Sequence, residues 1–231
     1  MSPREGEPEF TLKPLGLVRK AIADRVFQSF HNIPQFDLHI DVDASALMRT
    51  KSIYINEKKG IIPTYNDMLI FCISRVLEDH PVLNAHFTAE GIKEFKEINI
   101  GFAVATDKGV FLPVIRRANT KSLLEIAKSS AELTKFARNN LLRSSLQMYG
   151  TFTLSSLGGY GIDSFNAIIN PPQVAILAVG AIVKKPCIKD ELILPLDILH
   201  LTLTVDHRAI DGANAASFLI DLGRDIHDYS V

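Results

Sequence analysis

The stretch QFDLHIDVD, residues 35–43, constrains this chain more than any other. Phe36, Leu38, Ile40 and Val42 alternate with Asp37, His39, Asp41 and Asp43. Side chains along a β-strand point to opposite faces in turn, so four apolar and four polar positions in register require a half-buried strand. Such a strand needs a sheet beside it and a second layer over its apolar face.

The rest of the chain supplies both. Leu17, Val18, Ala21, Ile22, Val26 and Phe30 recur at helical spacing, which predicts a helix from Leu15 to the HNIP segment. A short helix is expected over 44–51, and YNDMLIFCISRVLEDHP (65–81) reads as a long helix stopped before Pro81. NIGFAVAT and VFLPVI read as a hairpin around Asp107-Lys108-Gly109. Ser122 with Glu125 matches a capping box that opens a helix running to about Arg138. Then come a strand at 151–155, a Gly-rich loop (SLGGYGIDSF) and a turn (NPPQ). An apolar strand at 174–182, a long strand at about 191–206 and a final helix from about Asp211 complete the pattern. Helices alternate irregularly with strands, and several strands are consecutive. This predicts an α/β or α+β two-layer sandwich with a mixed sheet, not a doubly wound parallel fold. Residues 1–14, charged and Pro-containing, are expected to form a flexible arm, with 15–231 as the domain.

Composition narrows the function classes. The 231 residues are 47% hydrophobic, enough for a core that needs neither disulfide nor metal. The net charge is −1 and the basic residues are scattered, which argues against a nucleic-acid partner. Cys72 and Cys187 form no CxxC and no zinc spacing, so no metal site is expected and a reducing, cytoplasmic setting is the economical inference. MSPREGEPEF has no apolar core of a signal peptide, and the longest apolar run, 174–183, falls short of the ~20 residues that span a bilayer. No membrane partner is expected. GGYG (158–161) lacks the spacing and the following helix of a phosphate cradle.

The chemistry concentrates in TVDHRAIDGANAASFL, residues 204–219. Two readings stand side by side. In the structural one, Asp211 caps the last helix, Arg208 pairs with an acid, and His207 is a satisfied histidine at a strand end. In the functional one, His207 is a general base held rigidly at the mouth of a cleft. No GxSxG elbow accompanies it, so its partner would be a nucleophile on the substrate.

VDHRAIDGANAASFL resembles the His-x-x-x-Asp-Gly signature, in its Asp-His-Arg form, of the dihydrolipoyl acyltransferases, the core components of 2-oxo-acid dehydrogenase complexes. RKAIADRVFQSFHNIPQF, INIGFAVATDKGVFLPVIR and GTFTLSSLGGYGIDSFNAIINPPQVAILAVGAI resemble further blocks of that family in its order, so the likeness covers about residues 11–222. It implies a chloramphenicol acetyltransferase-like fold, a homotrimer, and an active site between subunits. The implied reaction passes a short acyl group, acetyl favoured, between dihydrolipoamide and coenzyme A. His207 would be the base and Ser155 the oxyanion donor from a neighbouring subunit. Asp211 would steady the histidine loop, with Arg19 as its partner. Arg49, Thr64, Ser156, Gly180 and Ile182 would lie along coenzyme A. The lipoyl group would come from another domain or chain, because neither a lipoyl nor a peripheral-subunit-binding domain is expected here; Asp107-Lys108-Gly109 is not a lipoyl turn. Dehydrogenase components are implied as further partners, and a mitochondrial matrix location if the source is eukaryotic.

Three departures from the family's pattern bear on this. Ala105 stands where many members carry an acid, Gln35 stands where the family has histidine, and RDIHDYSV lacks an apolar tail. The last leads to the expectation of a trimer with no larger core. Two other readings remain at this level: the same fold with a different small-molecule acceptor, and a scaffold subunit without catalysis.

Overall fold

Residues 8–57, 60–189 and 191–229 are described by a computed structural model. In chain order the elements are α1 (Leu17–Asn32), β1 (Gln35–Asp43), α2 (Ser45–Asn56), α3 (Tyr65–Asp79), β2 (Ala85–Thr88), β3 (Gly91–Glu94), β4 (Ile100–Phe102), β5 (Val104–Thr106), β6 (Gly109–Phe111), β7 (Val114–Ile115), α4 (Leu123–Arg138), β8 (Phe152–Ser156), β9 (Ala175–Lys189), β10 (Leu192–Asp206) and α5 (Gly212–His227). Of the arm expected over 1–14, residues 1–7 lie outside the described residues, and 8–14 are exposed without regular structure.

Six strands form one sheet in the order β1-β10-β9-β8-β4-β7. β8 runs parallel to β9 and to β4, and the other pairs are antiparallel, so the sheet is mixed as expected. β1 pairs with β10 along its whole length, from Gln35 opposite Asp206 to Asp43 opposite Ile198. The apolar side of this sheet packs on the helices. Leu154, Leu177, Val179, Leu201, Leu203 and Val205 join the core with Ile70 and Ile73 of α3 and Phe218 and Leu222 of α5. Phe36, Leu38 and Ile40 pack against the same core, so the alternation in β1 sorts as its sequence requires. Each such side chain contributes about 1.5–3 kcal/mol when fully buried.

The other face carries polar pairs rung by rung. Thr204 donates to Asp37, His39 Nδ1 lies 3.0 Å from Thr202 Oγ1, and His200 Nδ1 lies 2.7 Å from Asp41 Oδ1. Lys185 Nζ reaches the second Asp41 oxygen at 3.0 Å. Burial alone would raise the Asp41 carboxyl, but the hydrogen bonds from His200 and Lys185 outweigh it and hold the pKa below the usual value.

Capping fixes the helices. Ser122 and Glu125 form the expected box at α4, and Thr64 with Asp67 forms a second at α3. Asp67 is buried and also accepts from Ser130 of α4, which ties the two helices together. The expected hairpin over 99–115 divides instead. β4 and β7 join the main sheet while β5 and β6 form a separate pair. Pro113, with no N–H to donate, lies where the ladder breaks, and its carbonyl accepts from Phe102 N–H at 3.0 Å. β9 runs to Lys189, beyond the expected end at 182, because β10 continues to pair with it as a two-stranded arm.

Cys72 is wholly buried in α3, as its apolar setting predicts, and burial with the nearby Asp225 pushes its thiol well above the usual pKa. Next to this group the Tyr229 hydroxyl is buried with no hydrogen-bond partner among the described residues. Tyr229→Phe removes that unsatisfied group and is expected to stabilise the fold by roughly 1 kcal/mol. The measure is a higher urea midpoint at unchanged slope; a lower midpoint would mean the hydroxyl is satisfied after all.

Candidate active site

β10 ends at Asp206, which is fully buried, and the chain turns back on it. Arg208 grips this carboxylate with two prongs, Nε to Oδ1 at 2.9 Å and Nη2 to Oδ2 at 2.7 Å. The Arg208 backbone N–H donates to Oδ1 at 3.0 Å. The Asp206 carbonyl accepts from the N–H groups of Ala209 and Ile210 at 3.0 and 2.9 Å. The guanidinium also lies over the Phe87 ring, 4.1 Å from its centroid. Between these anchors His207 is exposed. Its N–H donates to the Pro34 carbonyl at 3.0 Å, and its ring rests on Phe36 with centroids 4.5 Å apart. No described residue hydrogen-bonds the imidazole. Among the described residues the ring is thus left open to a ligand.

Ser155 sits on β8, on the sheet face away from the helices. A cleft of about 600 Å³ opens there. Thr153, Ser155 and Ile176 contribute to its lining, as do Ala21, Ile22 and Arg25 of α1 and the irregular segment Phe165–Pro171. Ser155 is half-buried, and among the described residues its hydroxyl has no hydrogen-bond partner. A smaller chamber of about 230 Å³ shares Arg25 and Thr153 with the cleft. It is bordered by Gln173, which is buried and accepts from Thr153 at 2.6 Å.

The two groups do not meet within one chain. Ser155 pairs with Ala178, and Ala178 with Thr202, five residues before His207. At ~3.3 Å per residue and ~4.8 Å per strand, this places them roughly 19 Å apart.

The expectations for Asp211 need correction. Its backbone adopts the cap conformation (φ −86°, ψ 156°), yet its side chain makes no cap bond and is exposed. Asp206, which is buried, and Arg208, which is exposed, stand two residues apart and hold the histidine turn instead. Arg19 does not pair with Asp211 in this chain. The His207 turn docks just past the end of α1, through Pro34, whereas Arg19 is in the first turn, about 20 Å away along the helix.

The expected coenzyme A contacts fall in two groups. Arg49 is exposed on α2, and Thr64 is the cap of α3, its hydroxyl 2.7 Å from Asp67 Oδ2. Lys51, which the sequence reading passed over, lies 4.2 Å from the ring centroid of Tyr65, the residue after Thr64. Ser156, Gly180 and Ile182 gather where the Gly-rich loop folds back on β9. There β9 carries one extra residue, between the pairs Val179–Leu201 and Ile182–Leu199. Ala181 N–H donates to Ile162 O at 2.8 Å, and a Cβ on Gly180 would overlap the Asp163 carbonyl. Gly180 thus serves close backbone approach, and Ile182 packs on the core. Ala105 is exposed on β5. Among the described residues no group of three or more His, Cys, Asp or Glu could hold a metal ion. Likewise, no described helix is long and apolar enough to cross a membrane.

Comparison with known proteins adds independent findings. Residues 7–230 match the family described as 2-oxoacid dehydrogenases acyltransferase (catalytic domain). The dihydrolipoyllysine-residue acetyltransferase component of the pyruvate dehydrogenase complex from Rickettsia conorii (strain ATCC VR-613 / Malish 7) is 36% identical over 215 residues, 92% of this chain and 52% of that protein. The chain thus spans about half the length of the curated relatives it matches. A structure of the cubic core of the pyruvate dehydrogenase multienzyme complex superposes with a TM-score of 0.93 at 31% identity, covering 99% of this chain and 96% of the other. A structure of Azotobacter vinelandii dihydrolipoamide acetyltransferase superposes at 0.92 with 32% identity, covering 95% and 92%. It comes from work on a serine, a histidine and an asparagine in the catalytic mechanism; these are separated by 52 and 4 positions. Ser155, His207 and Asp211 have the same separations here, with aspartate in the third place. Chloramphenicol acetyltransferase, at 13% identity and a TM-score of 0.57 over 92% of this chain and 96% of its own, shares the fold.

The grip on the histidine turn has a direct test. Arg208→Ala leaves the buried Asp206 carboxylate without its counter-charge and is expected to cost about 2–4 kcal/mol, toward the lower end because the Arg208 side chain is itself 36% exposed. Asp211→Ala should cost less than about 0.5 kcal/mol. Thermal melts of both variants check the order; a larger loss for Asp211→Ala would return the loop-steadying role to Asp211.

Proposed function

This chain belongs to the 2-oxoacid dehydrogenase acyltransferases, matching their catalytic domain, and from that premise we propose that it moves a short acyl group, acetyl first among candidates, between dihydrolipoamide and coenzyme A. The observation that carries the reading is a pair of free, rigidly mounted groups, the Ser155 hydroxyl in its cleft and the His207 imidazole on its turn. They stand at the separation of the serine and histidine in the Azotobacter relative. A thiol with a pKa near ~8.5 is only a few per cent ionised at pH 7. His207 takes the thiol proton as the sulfur attacks the thioester carbonyl. Ser155 donates to the oxyanion that forms. Collapse expels the other sulfur as thiolate, and the imidazolium returns the proton to it, so charge and atoms balance.

Because the two groups lie far apart in one chain, each site must draw Ser155 from one subunit and His207 from the next. A cyclic trimer closes such a head-to-tail arrangement. Arg49 and Lys51 offer cations for the phosphates of coenzyme A beside Thr64. The lipoyl group reaches the site on another domain or chain, and dehydrogenase components of a complex are the partners that would load it.

In assays with acetyl-coenzyme A and dihydrolipoamide, His207→Ala is expected to lower kcat by roughly 10²–10⁴-fold. Ser155→Ala should lower it by about 10²–10³-fold. Wild-type rates in either variant would remove that residue from the mechanism. Light scattering should give the mass of three chains. Co-refolding equal amounts of the two inactive variants should restore activity, because random trimers pair an intact Ser155 with an intact His207 at roughly a quarter of all sites. No restored activity would place both groups in a single chain.

A further inference from the structure

One wall of the Ser155 cleft is built from Phe165–Pro171, a segment with no helix or strand of its own. Its backbone groups are not paired in a ladder, so local turns and side chains must serve them. Gln173 N–H donates to Asn170 O at 3.1 Å, and side chains of α1 and β1 supply further attachments. Arg25 Nη2 donates to Pro171 O at 2.6 Å, and Asn166 donates to Asp37. At the middle of the wall both backbone groups of Ile169 are taken. Ser29 Oγ donates to Ile169 O at 2.6 Å, and Ile169 N–H donates to Gln35 Oε1 at 3.1 Å. The two holding residues are joined, since Gln35 Nε2 reaches Ser29 O at 3.2 Å and Ser29 Oγ at 3.4 Å. Ser29 is fully buried, the one buried residue of α1, and Ile169 is 1% exposed in a small apolar cluster with Ile33 and Ile176.

We propose that Ser29 and Gln35 form a clamp on Ile169 that positions this wall opposite Ser155, and that they are positioning residues for substrate binding in the cleft. Gln35 suits the task because a primary amide carries a donor and an acceptor at one end of a side chain. Its oxygen holds the wall while its nitrogen holds the helix. Neither residue touches the reacting atoms; they act through the wall. Loosening the clamp widens the set of wall positions, and each productive encounter must then reorder it. That cost falls on binding more than on the bond-making step.

The inference rests on the acyl-transfer reading of the cleft, so the test separates the two. Gln35→Leu and Ser29→Ala, singly and together, are compared with wild type by amide hydrogen exchange and by kinetics with acetyl-coenzyme A and dihydrolipoamide. The expected result is exchange in residues 165–171 faster by about tenfold, with the rest of the sheet unchanged. KM should rise roughly 3- to 10-fold, the effect of one buried hydrogen bond, with kcat within about twofold. The double variant should fall short of the sum of the singles, because both break one clamp. Wild-type exchange at 165–171 overturns the clamp, and so does a loss confined to kcat. If wild type transfers no acyl group, the reading of the site falls. The exchange result then decides the clamp alone: a local rise upholds it, and no change overturns it.

Discussion

Strand β10 is hydrogen-bonded along both edges, to β1 on one side and β9 on the other, so its side chains have only the two faces of the sheet to go to. Leu199, Leu201, Leu203 and Val205 go to the helices; His200, Thr202 and Thr204 meet β1 on the other face. A slip of one residue would exchange the sets. Four buried apolar side chains at about 1.5–3 kcal/mol each match the whole net stability of a typical domain, about 5–15 kcal/mol. The register is therefore not negotiable. It also sets where the strand stops, at a buried carboxylate, and hence where His207 stands.

This rigidity has a local cause. Asp206 receives four hydrogen bonds from Arg208 within a span of three residues and closes the turn through its own carbonyl. His207 is the residue left over, fixed at its backbone and free at its ring. Ser155 is held in the same spirit, by ladders on both sides of β8, with its hydroxyl open to the cleft. Each group is preorganised without contact with the other.

Periodicity made much of the fold legible. The alternation in 35–43, the capping box at Ser122 and the apolar run from 174 mark elements whose local pattern and tertiary setting agree. The reading failed where one residue changed the rules or where partners were distant. Pro113 broke a hairpin that the apolar pattern alone would join. The arm of β9 carries Lys184, Lys185 and Pro186, and only the pairing with β10 makes it a strand. At the candidate site, Ser155 and His207 were singled out because family likeness covers their blocks; spacing by itself left His207 with an ordinary alternative and gave Ser155 no role. Asp211 was given a task that Asp206 performs, because burial, the property that distinguishes two nearby aspartates, is not written in a local motif. The same blindness hid Ser29 and Lys51, and the contacts of Gln35, whose neighbours lie far along the chain or on another helix.

The cleft wall between Phe165 and Pro171 owes nothing to the sheet ladder, since its attachments are side chains of Arg25, Ser29, Gln35 and Asp37. The sheet cannot drift without exchanging its two faces, but the wall can. A single substitution on α1 or β1 moves or releases one attachment and leaves the register, the core and the histidine turn as they were. The shape of the cleft can therefore vary where the fold tolerates change best, in a wall held by side chains and not by the ladder.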